Sequence, residues 1–412
     1  MGWFDGIKKT EKVEIISKED DWTMKKIGNI RVPETFKNSN AFILANSIPE
    51  INFPIDFIAD RISKLRFFIA DKNGNELLNT ELTRLITDIN PLYSFSDLVY
   101  QYVYSLLADG NVRNYIQVPS LYKNISPENI SRWDIINPQL LKLEEYDTIS
   151  LLATNRQELI KSAEYSEFGK KINLEIDKLF IHNYNLNKRS HVLSISPLMS
   201  ANYSIDILLA VYSARYNVYS NNGAAGYLAK KTNVREGDLE SALSDQSKRD
   251  EILKDINDRH GLTGARNLWG ISGVPIEFVK TLATISELMP LDETLEAAIK
   301  IASVFQIPAE LVPRKDHSTF SNQEGAEVAV WENCIFSMSE TVCSNLTKLF
   351  AIEKYGKFEA DYSSVSCLNK NKSLKEDYLT KKLDNLTKLK SLSPDVDLTN
   401  EITKIIENYG QE

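Results

Sequence analysis

Histidine and cysteine, the side chains that most metal and nucleophile chemistry requires, are scarce in this 412-residue chain, which has four His and three Cys. The cysteines, Cys334, Cys343 and Cys367, are odd in number and none stand at the close spacing of a zinc knuckle or redox pair, so a reducing compartment is expected. His182 and His191 are nine residues apart, which does not fit the HExxH turn of a zinc peptidase, and His260 beside Gly261 reads as a helix-end residue. Neither GxxxxGK(S/T) nor GxGxxG occurs, and no Ser lies in a GxSxG elbow, so phosphate-loop motors and serine hydrolases of recognisable form are excluded. No apolar run reaches the roughly 18 residues that cross a bilayer. The N-terminal MGWFDGIKKTEK has neither the apolar core of a signal peptide nor a Ser or Thr at position six. A soluble protein made in a cytoplasm, with no membrane partner, no cofactor, no metal and no catalytic constellation, is the expectation.

What is present is the material of a folded chain: 42% hydrophobic, 9% aromatic and 25% charged residues, with 48 basic against 57 acidic side chains and a net charge of -9. Residues 1–36 carry seven basic and seven acidic side chains on a broken apolar pattern, which reads as an arm that orders on a partner. From Asn52 the spacing of Ile55, Ile58, Ala59, Ile62 and Leu65 predicts a helix, followed by a strand at RFFIAD and a turn at DKNGNE. In INPLYSFSDLVYQYVYSLLADGNVRNYIQV, a capping Ser94 or Ser96 precedes Leu98, Val99, Tyr102, Val103, Leu106 and Leu107 on one face. A turn at Asp109-Gly110-Asn111 and an alternating strand follow, and SRWDII, QLLKLEEY and DKLFIHNY supply further strands.

Residues 199–221 hold only Asp206 and Arg215 as charges, and such a helix must be buried over most of its circumference, with Tyr203, Tyr212, Tyr216 and Tyr219 as packing residues. An insertion of about sixty residues follows, with a strand at YLAKK, a charged helix from about Arg235 to Arg259, and strand-like LWGI and IEFVKTLA. A helix over Leu291–Phe305 ends before Pro308, a polar linker holds Arg314, Lys315 and His317, and a helix from about Ala326 to Phe350 leads to a strand at FEADYSSV. Two polar helices close the chain.

This order of elements resembles the portal protein family of tailed bacteriophages over roughly residues 40–370. The likeness rests on the Asn-Pro to Gly-Asn stretch just quoted, on SISPLMSANYSIDILLAVYSARYNVYSNNGAAGYL, on MPLDETLEAAIKIASVFQIPAELV, and on STFSNQEGAEVAVWENCIFSMSETVCSNL. Ile195 stands where the family has Gly before Ser-Pro-Leu. The resemblance implies an α+β portal fold: an N-terminal arm at 1–36, a wing at 37–198 and 326–366, stem helices at 199–222 and 285–307, a small α/β clip at 223–284, a tunnel loop at 308–325 and a helical crown at 367–412.

It further implies a ring of about twelve copies at one capsid vertex of a virion, assembled in the bacterial host cytoplasm, through which double-stranded DNA is packaged and ejected. Terminase, the major capsid protein and a head-completion or adaptor protein would be its partners. Under this reading Tyr203, Ile207, Leu208, Val211 and Arg215 form the stem interface between subunits. Arg314, Lys315, His317, Ser318 and Thr319 line the channel, and Lys230, Lys231, Lys248 and Arg249 face the terminase or adaptor. Charge agrees: residues 285–366 hold 13 acidic and 6 basic side chains, a net of -7, as suits a wall along which DNA must slide without being trapped. The alternatives are the portal-like ring of a gene-transfer particle or prophage, and an unrecognised hydrolase.

Overall fold

The computed structural model describes residues 24–368 apart from 28–29, 34, 73, 79, 120, 123–124, 148–151, 185–189, 221–225, 231–275, 281–289 and 315–319. A hairpin of β1 (Met24–Ile27) and β2 (Ile30–Pro33) comes first. Phe36 then enters the core, and its backbone N–H donates to Asp206 Oδ1 at 2.6 Å. The last residue of the expected arm is thus tied to its own subunit. Helices α1 (Ala41–Ser47) and α2 (Pro49–Ser63) follow, the second with Pro49 in its first turn, where the missing N–H costs nothing. Ile51, Ile55, Ile58, Ala59 and Ile62 form its buried stripe.

Strand β3 (Arg66–Ala70) and α3 (Thr80–Thr87) lead to α4 (Phe95–Asp109). A reciprocal cap starts α4: Asp97 N–H donates to Ser94 Oγ at 3.1 Å and Ser94 N–H donates to Asp97 Oδ2 at 3.0 Å. Gly110, at φ 78°, ends it in the left-handed region. A Cβ there would stand 2.5 Å from the Ile195 carbonyl oxygen, so the turn before the Ser-Pro-Leu segment packs against bare backbone. The chain reverses at once into β4 (Asn111–Gln117), the centre of an antiparallel sheet between β5 (Arg132–Ile136) and β9 (Leu179–Asn183).

A second antiparallel sheet has the order β6 (Leu141–Glu145), β7 (Ile160–Glu167), β8 (Lys170–Asn173), over a small core of its own that includes Leu143, Ala163 and Leu179. After a 3-10 turn at Pro197–Ala201 come α5 (Asn202–Ser220) and the antiparallel pair β10 (Gly226–Lys230) and β11 (Ile276–Lys280). Helix α6 (Pro290–Val304) returns to pack on α5. Then α7 (Phe320–Val330), a π-helical turn at Trp331–Ile335 and α8 (Phe336–Leu349) run as one interrupted helix into β12 (Lys357–Asp361), which pairs antiparallel with β3.

The long helix thus begins at Phe320, six residues before the expected Ala326, and carries a π turn that the sequence pattern did not indicate. The helix expected near Arg235–Arg259, the strand LWGI and the two C-terminal helices lie outside the described residues. The main core unites both halves of the chain, since Ile58, Leu106, Trp133, Leu208, Ile301, Trp331 and Phe358 belong to one buried cluster.

Candidate subunit interface and DNA channel

Helices α5 and α6 pack side by side through Ile205, Leu208 and Leu209 on one and Ala297, Ala298, Ile301 and Ala302 on the other, all buried. Alanines on α6 let the two backbones approach closely, as shallow ridges require. Polar ties fix α5 to the rest of the subunit: besides the Phe36 bond to Asp206, the Tyr212 hydroxyl donates to Glu50 Oε1 at 2.6 Å. Burial and the Glu50 carboxylate both raise the Tyr212 hydroxyl's pKa, so it stays a donor.

Leu208 and Val211, expected at a surface between subunits, are both buried within one chain. Leu208 belongs to the core cluster that α5 shares with α6. The remaining interface candidates stay accessible: Tyr203 is 73% exposed, and Ile207 and Arg215 are half-buried. Tyr203 is also not the packing residue that the helix composition implied, and Ala210 and Ala214 join it on the open side, while Tyr216 is exposed near the helix end on another face. The side chain of Tyr219 lies outside the described residues.

Helix α6 presents acid. Asp292, Glu293 and Glu296 are exposed along its first two turns, and among the described residues only Glu296 has an ion pair, with Lys300 at 2.7 Å. The helix ends in a Schellman motif: Ile307 N–H donates to the Ala302 carbonyl at 3.2 Å, Gln306 N–H to that of Ser303 at 3.0 Å, and Gln306 takes φ 59°. Pro308 follows, so the chain leaves the helix sharply and runs through a 3-10 turn at Ala309–Leu311 to Arg314. Arg314 is half-exposed, and its buried Nε has no hydrogen-bond partner among the described residues. Lys315, His317, Ser318 and Thr319 lie outside the described residues. So do Lys231, Lys248 and Arg249, while Lys230 ends β10 opposite Ile276.

Beyond the loop, α7 is held to α2 by an Arg61–Glu327 ion pair at 2.9 Å. The π turn buries Trp331 against Phe336 and Tyr362, with its indole N–H lacking a partner among the described residues. Sequence reasoning missed this site, because no residue signature marks it. Cys334, on the same turn, has its thiol pushed up to about 11 by burial, and Cys343 to about 12, so neither is a ready nucleophile. No group of three or more His, Cys, Asp or Glu among the described residues has the geometry of a metal site. No described helix is long and apolar enough to cross a membrane.

Solved structures to which this chain is similar include the necks of gene-transfer-agent particles and a phage portal protein. The neck of an empty gene-transfer-agent particle solved with C6 symmetry matches with a TM-score of 0.56 at 14% identity, over 89% of this chain and 93% of that one. The neck of the native particle, solved with C12 symmetry, gives 0.54 at 14% identity over 83% and 89%. An HK97-family phage portal protein from Corynebacterium diphtheriae gives 0.51 at 12% identity over 78% and 94%. At such identities the likeness establishes the fold, while comparison with curated proteins yields no match. The sequence model of the family described as phage portal protein matches residues 49–381, from the first turn of α2 past the end of β12, and the chain therefore belongs to the phage portal protein family.

Proposed function

We propose that about twelve copies of this chain form a ring at one vertex of a capsid, through whose bore double-stranded DNA enters and leaves. The observation that carries this reading is the family match across residues 49–381, which takes in both packed helices and the loop between α6 and α7. The open side of α5, with Tyr203, Ala210 and Ala214, is an apolar strip that a neighbouring subunit would cover. Asp292, Glu293 and Glu296 supply the repulsive wall that lets a duplex slide. Arg314 and Lys315 would meet phosphates without regard to sequence and lose affinity steeply with salt.

Terminase and then a head-completion protein would dock on residues 223–284, and the major capsid protein on the wing. Assembly in a bacterial cytoplasm and residence in the virion follow. The symmetric necks of gene-transfer particles favour a second reading, in which the same ring serves such a particle. The family is a structural one, and a role as a passive channel requires no catalysis by this chain.

The test is the mass of the purified protein. Chains of 46.8 kDa predict an assembly of roughly 560 kDa with a central hole in axial views. A stable monomer across concentrations would overturn the ring. Changing Arg314 and Lys315 together to Ala should leave rings and empty procapsids normal while lowering DNA retention; unchanged packaging would remove these cations from the DNA path.

A further inference from the structure

The hairpin of β7 and β8 turns on Phe168 and Gly169, which lie between the paired residues Glu167 and Lys170 and take φ 47° and 76°. A two-residue turn with both positions left-handed suits Asn-Gly, whereas a bulky aromatic at the first position is strained. Phe168 gains no packing in return, being 97% exposed, and all four residues of β8 are exposed as well. Strain and an unburied aromatic at one position point to a function outside the isolated subunit. Next to the tip, Lys171 is engaged by Glu164 at 2.8 Å, but Lys170 has no ion-pair partner among the described residues.

On another part of the molecule a cavity of about 470 Å³ opens between α8 and β12. Phe358 and Cys343 form its buried apolar floor, with half-buried Tyr362 beside them. Three carboxylates, those of Glu340, Glu353 and Glu359, stand at the cavity against Lys348 and Lys357. Lys357 is engaged by Glu359 at 2.7 Å, whereas Glu340 and Glu353 have no ion pair among the described residues. The space accepts an aromatic side chain together with the turn that bears it.

We propose that Phe168 of one subunit seats in the α8–β12 cavity of the adjacent subunit, with Lys170 facing Glu340 and Glu353. The inference rests on the ring reading and supplies a specific contact for it. A closed ring requires a heterologous interface, in which a feature on one side of the chain fits a different feature on the other. The hairpin tip offers an exposed aromatic and a cation without an ion pair, and the cavity offers an apolar floor and two carboxylates without one, which would make them such a pair.

The test uses the full chain. In a chain whose native Cys334, Cys343 and Cys367 are replaced by Ala, Phe168→Cys together with Ser344→Cys at the cavity, oxidised in the assembled ring, is expected to give a ladder of covalent multimers that neither single variant gives. Phe168→Asn, which relieves the left-handed strain, is expected to keep or raise the subunit's melting temperature while requiring about tenfold more protein to hold the ring together. A ring of full mass with no ladder, or a disulfide closed within one chain, overturns the contact and leaves the ring reading standing. So does a Phe168→Asn ring as stable as the unaltered one, even where a ladder forms. Failure of the unaltered chain to form any ring overturns both.

Discussion

His182 accepts a hydrogen bond at Nδ1 from the Tyr102 hydroxyl at 2.7 Å, with the Asn114 amide nitrogen 3.4 Å from the same atom. Two donors at one nitrogen require it to be unprotonated, so the ring is neutral with its proton on Nε2. Burial first, then the charges of Arg156 and Lys348, lower its pKa from 6.5 to about 4. A folded pKa below the unfolded one means that the unfolded chain takes up the proton first. The contribution to stability is therefore present above about 6.5 and is lost as pH falls towards 4, at no more than about 1.4 kcal/mol per pH unit. A His182→Gln variant should flatten that part of the stability profile measured by denaturant titration; an unchanged slope would assign it to other groups.

Two more residues illustrate what the sequence disclosed. Gly110 was legible as a turn, but the 2.5 Å approach of the Ile195 carbonyl was not, because the partner is 85 residues away. Leu208 was legible as buried, yet the sequence does not distinguish burial by the same chain from burial by a neighbour. Its replacement by Asp places an unpaired charge in the subunit core and is expected to cost several kcal/mol of subunit stability, read as unfolding of the monomer. A folded, soluble Leu208→Asp monomer would contradict that packing.

At the scale of elements, the best-signalled pieces were those whose local rules agree. The α4–β4 unit has a cap at Ser94, an apolar stripe and a glycine stop, and it formed as expected, although α4 is buried on every side from Tyr102 to Asp109. Ser94→Ala should lower the melting free energy by about 1 kcal/mol by removing one half of the reciprocal cap. The missed elements lack such agreement. Helix α1 is only seven residues long, and β7 and β8 alternate with charges, leaving little apolar contrast. The π turn at Trp331–Ile335 has no residue signature, since tertiary packing inserts it.

Helix ends show the same division. Ile352 N–H donates to the Thr347 carbonyl at 3.1 Å and Ala351 N–H to that of Lys348 at 3.1 Å, so α8 ends in a Schellman motif with Ala351 at φ 51°. A non-glycine residue in that position hides the stop from the sequence. Ala351→Gly should raise stability by up to about 1 kcal/mol, less the entropy that glycine loses on folding. A drop in the melting temperature would mean that the Ala351 methyl is a packing contact.

The whole molecule joins distant parts of the chain. Strand β3 finds its partner in β12, with Arg66 opposite Asp361 and Ala70 opposite Lys357, across almost the entire described sequence. Both sides of the helix pair and all of residues 223–284 lie between these strands. During synthesis at about 5–20 residues per second, β3 leaves the ribosome roughly a quarter of a minute to a minute before β12 exists. For that interval Phe67 and Ile69 have no sheet partner and the aromatic cluster of Phe95, Trp133 and Phe350 is incomplete. The nascent chain is thus an early client for chaperones, and chains released before residue 357 should be recovered bound to them or aggregated, while full-length chains are not.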